Sequence, residues 1–90
     1  MKQITPRELA DWLGAKERAR PLLLDVREAW EVQTCSIAGS QHLPMGEVAA
    51  RKDELDAAAD IVVICHHGGR SMQVGMFLEQ QGFSDVVNLT

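Results

Sequence analysis

The chain has 90 residues, 46% hydrophobic and 24% charged, with two cysteines and a formal net charge of -4. These values describe a single globular domain, large enough to bury a core without metals or disulfides. The acidic balance, without a basic stripe, excludes a nucleic-acid binder, and no apolar run has the length of a membrane span.

The first residues, MKQITPREL, lack the apolar centre of a signal peptide, so a cytoplasmic protein with reduced thiols is expected. Gln3-Ile4 reads as a short edge strand. Thr5-Pro6-Arg7-Glu8 is a helix start, with Thr5 as N-cap, Pro6 at the first helical position and Glu8 closing a capping box. Leu9, Trp12 and Leu13 then share one helical face, and Gly14 ends the helix. Residues 15 to 20 are charged and read as a solvated loop. The run PLLLDV, Pro21 to Val26, predicts a strand buried on both faces, as in a parallel sheet. It leads into Asp25-Val26-Arg27, polar groups at a strand's carboxyl end, where open α/β sheets place their sites.

Glu28 to Val32 predicts a short helix with Trp30 turned inward. Cys35 lies in a polar turn, Thr34-Cys35-Ser36, and reads as an incidental thiol, with a resolving or redox role as the alternative. Ile37 to Ser40 is a turn, His42-Leu43 a brief strand, and Pro44 a stop. Glu47 to Leu55 predicts a helical stretch carrying Val48 and Leu55. Ser71 to Gln81 predicts a longer helix with Met72, Gly75 and Met76 on one face. Gly82 suits the left-handed position after it. Val86 to Leu89 is the last strand. Strands alternating with helices imply an α/β fold with right-handed crossovers.

Between Ile61 and Ser71 the sequence reads IVVICHHGGRS. An apolar strand, a tight loop and a helix start are a place to hold an anion or activate a nucleophile. The helix start offers free backbone N–H groups and a positive dipole end. A cysteine there is more thiolate than a free one. His66 and His67 beside Cys65 suggest a metal at first sight. Three consecutive residues do not converge on a tetrahedral ion, however, and no second cluster has zinc-like spacing, so no metal is expected. The imidazoles read as rim polarity, and His42 as an ordinary half-exposed histidine.

Four pieces, LLDVRE at 23 to 28, IAGSQHLP at 37 to 44, VVICHHGGRS at 62 to 71 and FLEQQGFSDVVNL at 77 to 89, resemble the rhodanese superfamily, specifically its short single-domain sulfurtransferases. The resemblance implies an α/β fold with a central, mainly parallel sheet of about five short strands flanked by helices. It implies a persulfide on Cys65 cradled by the loop from His66 to Arg70. It also implies a cycle in which a donor such as thiosulfate or a persulfide loads Cys65, and cyanide or a thiol, a protein thiol included, takes the sulfur away. No cofactor is required. Family members usually have Gly-His-Ile where this chain has Cys35-Ser36-Ile37. They usually continue past the Asn-Leu strand into a Gly-Gly turn and an aromatic-bearing helix. Residues 1–90 are thus read as a single rhodanese-like domain lacking that helix, which predicts lower stability or more association than a longer form.

Within the loop, lowering a thiol from about 8.5 to about 6.5 raises its thiolate fraction at pH 7 roughly 25-fold, and the accompanying fall in nucleophilicity takes back roughly 6- to 10-fold. Orienting the donor and stabilising the developing sulfur anions therefore matter more than acidity. Gly68 and Gly69 suit that task by letting backbone N–H groups point inward. Arg70 has two readings: a guanidinium on the donor's sulfonate oxygens, or an outward arginine poorly placed at the positive end of a helix. Arg27 either lines the pocket or pairs with an acid such as Glu31. Asp25 reads as structural, accepting from loop N–H groups, and Ser71 as a helix cap or a donor to the Cys65 sulfur.

Two rival functions remain. A phosphatase or arsenate reductase needs five residues between cysteine and arginine, whereas four, 66 to 69, stand between Cys65 and Arg70 here. A non-catalytic module or sulfur carrier that relays persulfide sulfur between proteins is the other.

Overall fold

The computed structural model describes residues 1–66 and 69–90. The expectations for His67 and Gly68 lie outside the described residues. In chain order the elements are β1 (Lys2–Ile4), α1 (Pro6–Gly14), β2 (Leu22–Asp25), α2 (Ala29–Thr34), β3 (Gln41–His42), α3 (Val48–Arg51), β4 (Asp60–Ile64), α4 (Gly69–Gln80) and β5 (Asp85–Leu89). The strands form one sheet in the order β1-β5-β4-β2-β3, with every neighbouring pair parallel.

Strict alternation sorts the strand side chains into two layers. Ile61 and Val63 of β4, Leu24 of β2 and Val86 of β5 face one core, which Val48, Val74 and Leu78 complete from α3 and α4. Val62 and Ile64, Leu23, Val87 and Leu89 face the other, against Leu9 and Trp12 of α1. Each such buried aliphatic side chain contributes about 1.5–3 kcal/mol through removal of apolar surface from water.

The helix ends follow local rules. Thr5 N–H donates to Glu8 Oε1 at 3.0 Å and Glu8 N–H to Thr5 Oγ1 at 3.1 Å, which is the expected capping box. After α4, Gly82 has φ +94°. Phe83 N–H donates to Leu78 O at 3.0 Å and Gly82 N–H to Glu79 O at 3.2 Å, so the helix closes in a Schellman motif. Phe83 and Leu78 share the same core.

Several expectations are corrected. Trp30 is 70% exposed instead of turned inward. No residue of α2 is buried, so polar contacts rather than an apolar face hold that helix. The single helix expected over 47 to 55 is the short α3 between two 3-10 turns, Met45–Glu47 and Lys52–Glu54. Only Val48 and Leu55 need burial there, and Leu55 N–H reaches Lys52 O at 3.0 Å in an i to i+3 bond that tightens the last turn. The loop at 15 to 20 is not simply solvated: Ala19 O accepts from Trp12 Nε1 at 2.9 Å, and the Arg18 guanidinium lies 3.6 Å from the centre of the Trp12 ring. The brief strand is Gln41–His42, with Leu43 N–H continuing the ladder to Asp25 O at 2.9 Å. The helix expected from Ser71 begins at Gly69, and the last strand begins at Asp85.

Candidate functional site

After β2 the chain moves outward to β3, and after β4 it moves the opposite way to β5. The carboxyl ends of the adjacent strands β2 and β4 thus flank the point where the winding reverses, the crevice such sheets use for ligands. Asp25 ends β2, and Cys65 follows β4 directly. Register pairs Asp25 with Ile64, and Val26 N–H donates to Ile64 O at 3.0 Å, so the segment carrying Arg27 runs beside the Cys65 loop.

The half-buried Cys65 sulfur accepts from Ser71 N–H at 3.3 Å, and its S–H donates to Ser71 Oγ at 3.3 Å. Ser71 lies in the first turn of α4 with 0% exposure. It is therefore not the residue that opens the helix, and its hydroxyl donates to Asn88 Oδ1 rather than to the sulfur. An amide oxygen is a better acceptor than a thiol sulfur, which accounts for that preference. The pleat explains why Asn88 is there. It lies two residues after Val86 in β5, on the face that α4 covers, and pairs with Val63 near the end of β4. Sequence reasoning passed over Asn88. The available signal was one polar residue inside an otherwise apolar buried strand.

The two arginines are each engaged by an acid. Arg70 donates to Glu31 from both ends of its fork, Nη1 to Oε1 at 2.7 Å and Nη2 to Oε2 at 2.8 Å. The Arg70 hydrogen bonds, and next the backbone N–H contact with Glu28, lower the Glu31 carboxyl from its ordinary value to about 2, and Glu31 in turn raises Arg70. Arg27 pairs with Asp25, not with Glu31: Nη2 to Oδ2 is 2.7 Å and Nε to Oδ1 is 2.9 Å. Its Nη2 also donates to Cys35 O at 2.6 Å, and the bond to Asp25 raises the Arg27 pKa. Asp25, 1% exposed, further accepts from Arg27 N–H at 3.1 Å. Arg27 thus pairs with an acid other than the expected Glu31, and it also lines a cavity of about 250 Å3 with Trp30, Glu31, Thr34, Cys35 and His66. The Glu31–Arg70 pair had no sequence signal, since 39 residues separate its partners.

His42 supports the shoulder of the crevice, its Nε2 lying 2.7 Å from Arg27 O. Gly69 begins α4, and a Cβ there would meet nothing within 4 Å, so no close approach among the described residues demands glycine. A larger cavity of about 500 Å3 lies away from Cys65, between Lys2, Trp12 and the amino ends of β4 and β5. Among the described residues, no three His, Cys, Asp or Glu side chains gather as a metal site would require, and no helix is long and apolar enough to cross a membrane. The arrangement is suited to nucleophilic chemistry at sulfur: an oriented thiol, a backbone donor on it and a mostly apolar cavity lined by its chain neighbour His66.

Comparison with known proteins agrees with this geometry. The sequence model of the rhodanese-like domain matches residues 5–90. Bacillus subtilis YrkF, provisionally named a sulfur carrier protein, is 42% identical over 67 residues, covering 74% of this chain and 36% of YrkF. The thiosulfate sulfurtransferase GlpE of Pseudomonas aeruginosa is 36% identical over 81 residues, covering 83% of this chain and 74% of GlpE. The crystal structure of SSP1007 from Staphylococcus saprophyticus superposes with a TM-score of 0.90 at 30% identity, over 99% of this chain and 86% of that one. The chain thus spans about a third of the length of YrkF and about three quarters of GlpE.

Proposed function

Because the chain belongs to the rhodanese-like sulfurtransferase family, we propose that it moves a sulfane sulfur from donor to acceptor through a persulfide on Cys65. The observation that carries this reading is the placing of the Cys65 sulfur. It follows the carboxyl end of β4, accepts a backbone N–H at 3.3 Å, and stands next in the chain to His66, which lines the cavity.

With thiosulfate as donor, the Cys65 thiolate attacks the outer sulfur. The bond between the two donor sulfurs breaks, and sulfite leaves with the electron pair. Cyanide or a thiolate then attacks the terminal sulfur of the persulfide, and Cys65 returns as thiolate. The cycle needs no metal or organic cofactor. Ser71 N–H is placed to stabilise sulfur anions as they develop. We assign substrate binding to the loop His66, His67, Gly68, Gly69 and Arg70, with Ser71 and Arg27. Arg70 spends two of its five N–H donors on Glu31 and keeps the rest for the donor or the persulfide. A cytoplasmic setting, where both thiols stay reduced, fits this cycle.

The test is incubation with thiosulfate, followed by mass spectrometry for a one-sulfur gain on Cys65 and by a thiocyanate assay after cyanide is added. An unmodified Cys65 overturns the reading. A second reading, a carrier loaded by another protein's persulfide, is favoured by the engagement of Arg27 and Arg70 with acids, which weakens the pull on a small dianion, and by the name of YrkF. Adduct formation without catalytic turnover selects the carrier.

A further inference from the structure

In β5 the buried side chains Val86, Val87 and Leu89 are apolar, and Asn88, 1% exposed, is the exception. A buried amide is unfavourable unless its polar atoms are bonded. Asn88 Oδ1 accepts the Ser71 hydroxyl, and the same hydroxyl oxygen accepts the Cys65 S–H at 3.3 Å. A line of hydrogen bonds therefore runs from the reactive sulfur into the core, and both inner members are at most 1% exposed.

The Ser71 hydroxyl has one hydrogen. While Asn88 Oδ1 holds it, it does not reach the Cys65 sulfur. When Cys65 loses its proton, the sulfur changes from donor to acceptor and competes with Asn88 for that hydrogen. A thiolate that captures it is stabilised and less basic. A thiolate denied it stays basic, and a more basic thiolate is the stronger nucleophile.

We propose that Asn88 is a positioning residue that holds the Ser71 hydroxyl away from the Cys65 sulfur and so preserves the nucleophilicity of the thiolate. The proposal rests on Cys65 being the reacting atom, but its test reads the thiol alone and needs no sulfur transfer. Charged and titratable groups also act on this sulfur from elements other than β5. Arg70 from α4 acts on it electrostatically, with Glu31 of α2 behind that arginine. His66 is its neighbour in the chain, and Arg27 lies across the adjoining cavity, held by Asp25.

The thiol is titrated by its thiolate absorbance and by its alkylation rate, in a Cys35→Ser background so that only Cys65 reports. Asn88→Leu is expected to lower the midpoint by about one pH unit. It is expected to slow alkylation of the fully ionised thiolate about threefold. Neither effect should appear in a Ser71→Ala background. Asn88→Ala makes the same test if leucine is too large for the site. In the protein with Asn88 retained, the side-chain amide resonances of Asn88 should shift at the Cys65 midpoint. A midpoint that stays or rises, a shift that survives Ser71→Ala, or Asn88 resonances indifferent to the titration overturns the proposal.

Discussion

Arg70 and Glu31, separated by 39 residues, meet fork to fork at 2.7 and 2.8 Å and tie the first turn of α4 to the first turn of α2. The same carboxylate accepts Glu28 N–H at 3.0 Å, so it caps its own helix while holding the arginine that closes the Cys65 loop. No residue of α2 is buried, and among the described residues this polar clasp, together with the Arg27 bond to Cys35 O, ties that helix to the site.

If the clasp positions Arg70, then Glu31→Ala lowers kcat/KM for sulfur transfer by about 10-fold, since a loosened catalytic geometry is costly in rate. Arg70→Lys should lose about as much, because an ammonium cannot make the two parallel bonds. Steady-state thiocyanate formation measures both. Rates unchanged in either variant would contradict the role assigned to the pair.

The clasp also predicts a pH dependence. The folded Glu31 carboxyl titrates at about 2, below its ordinary 4.5. A depressed acid stabilises the fold where it is ionised in the unfolded chain too, so its contribution is complete above about pH 4.5 and is lost as pH falls towards 2. Urea midpoints of the parent and of Glu31→Gln should therefore differ at pH 7 and converge below pH 3. Parallel curves across that window would show that the pair does not contribute as assigned.

Asp25 is buried and Arg27 nearly so, with side chains 1% and 12% exposed. Removing one partner of such a pair leaves a charge without compensation, so Asp25→Ala is expected to destabilise by about 3 kcal/mol in equilibrium unfolding. Arg27 also loses the anchor that directs it to Cys35 O and the cavity. A loss below about 1 kcal/mol would mean that water replaces the carboxylate at little cost.

Two local predictions concern the helix ends. Thr5→Ala breaks the capping box and should cost about 1 kcal/mol. Gly82→Ala puts a side chain at φ +94° and should cost about 1–2 kcal/mol, although a Cβ there meets nothing within 4 Å. Thermal unfolding separates these backbone effects from packing, because neither position lies in the core.

The sequence by itself determined the features whose causes lie within a few residues. The Thr5 cap, the Gly82 turn and the alternation through Ile61 to Ile64 were legible because each is a contact between near neighbours or a period-two pattern. The strand–Cys65–Arg70 spacing was legible as a motif for the same reason. Trp30 was misplaced because its helical spacing does not say whether a short helix has a core to face. The partners of Arg70 and Arg27, and the placing of Asn88 against Ser71, depend on the strand order β1-β5-β4-β2-β3 and on where α4 crosses the sheet. Those are decided by burial of the whole apolar set at once. Only the tertiary structure could therefore bring Asn88 and Glu31, from distant segments, to the loop that carries Cys65.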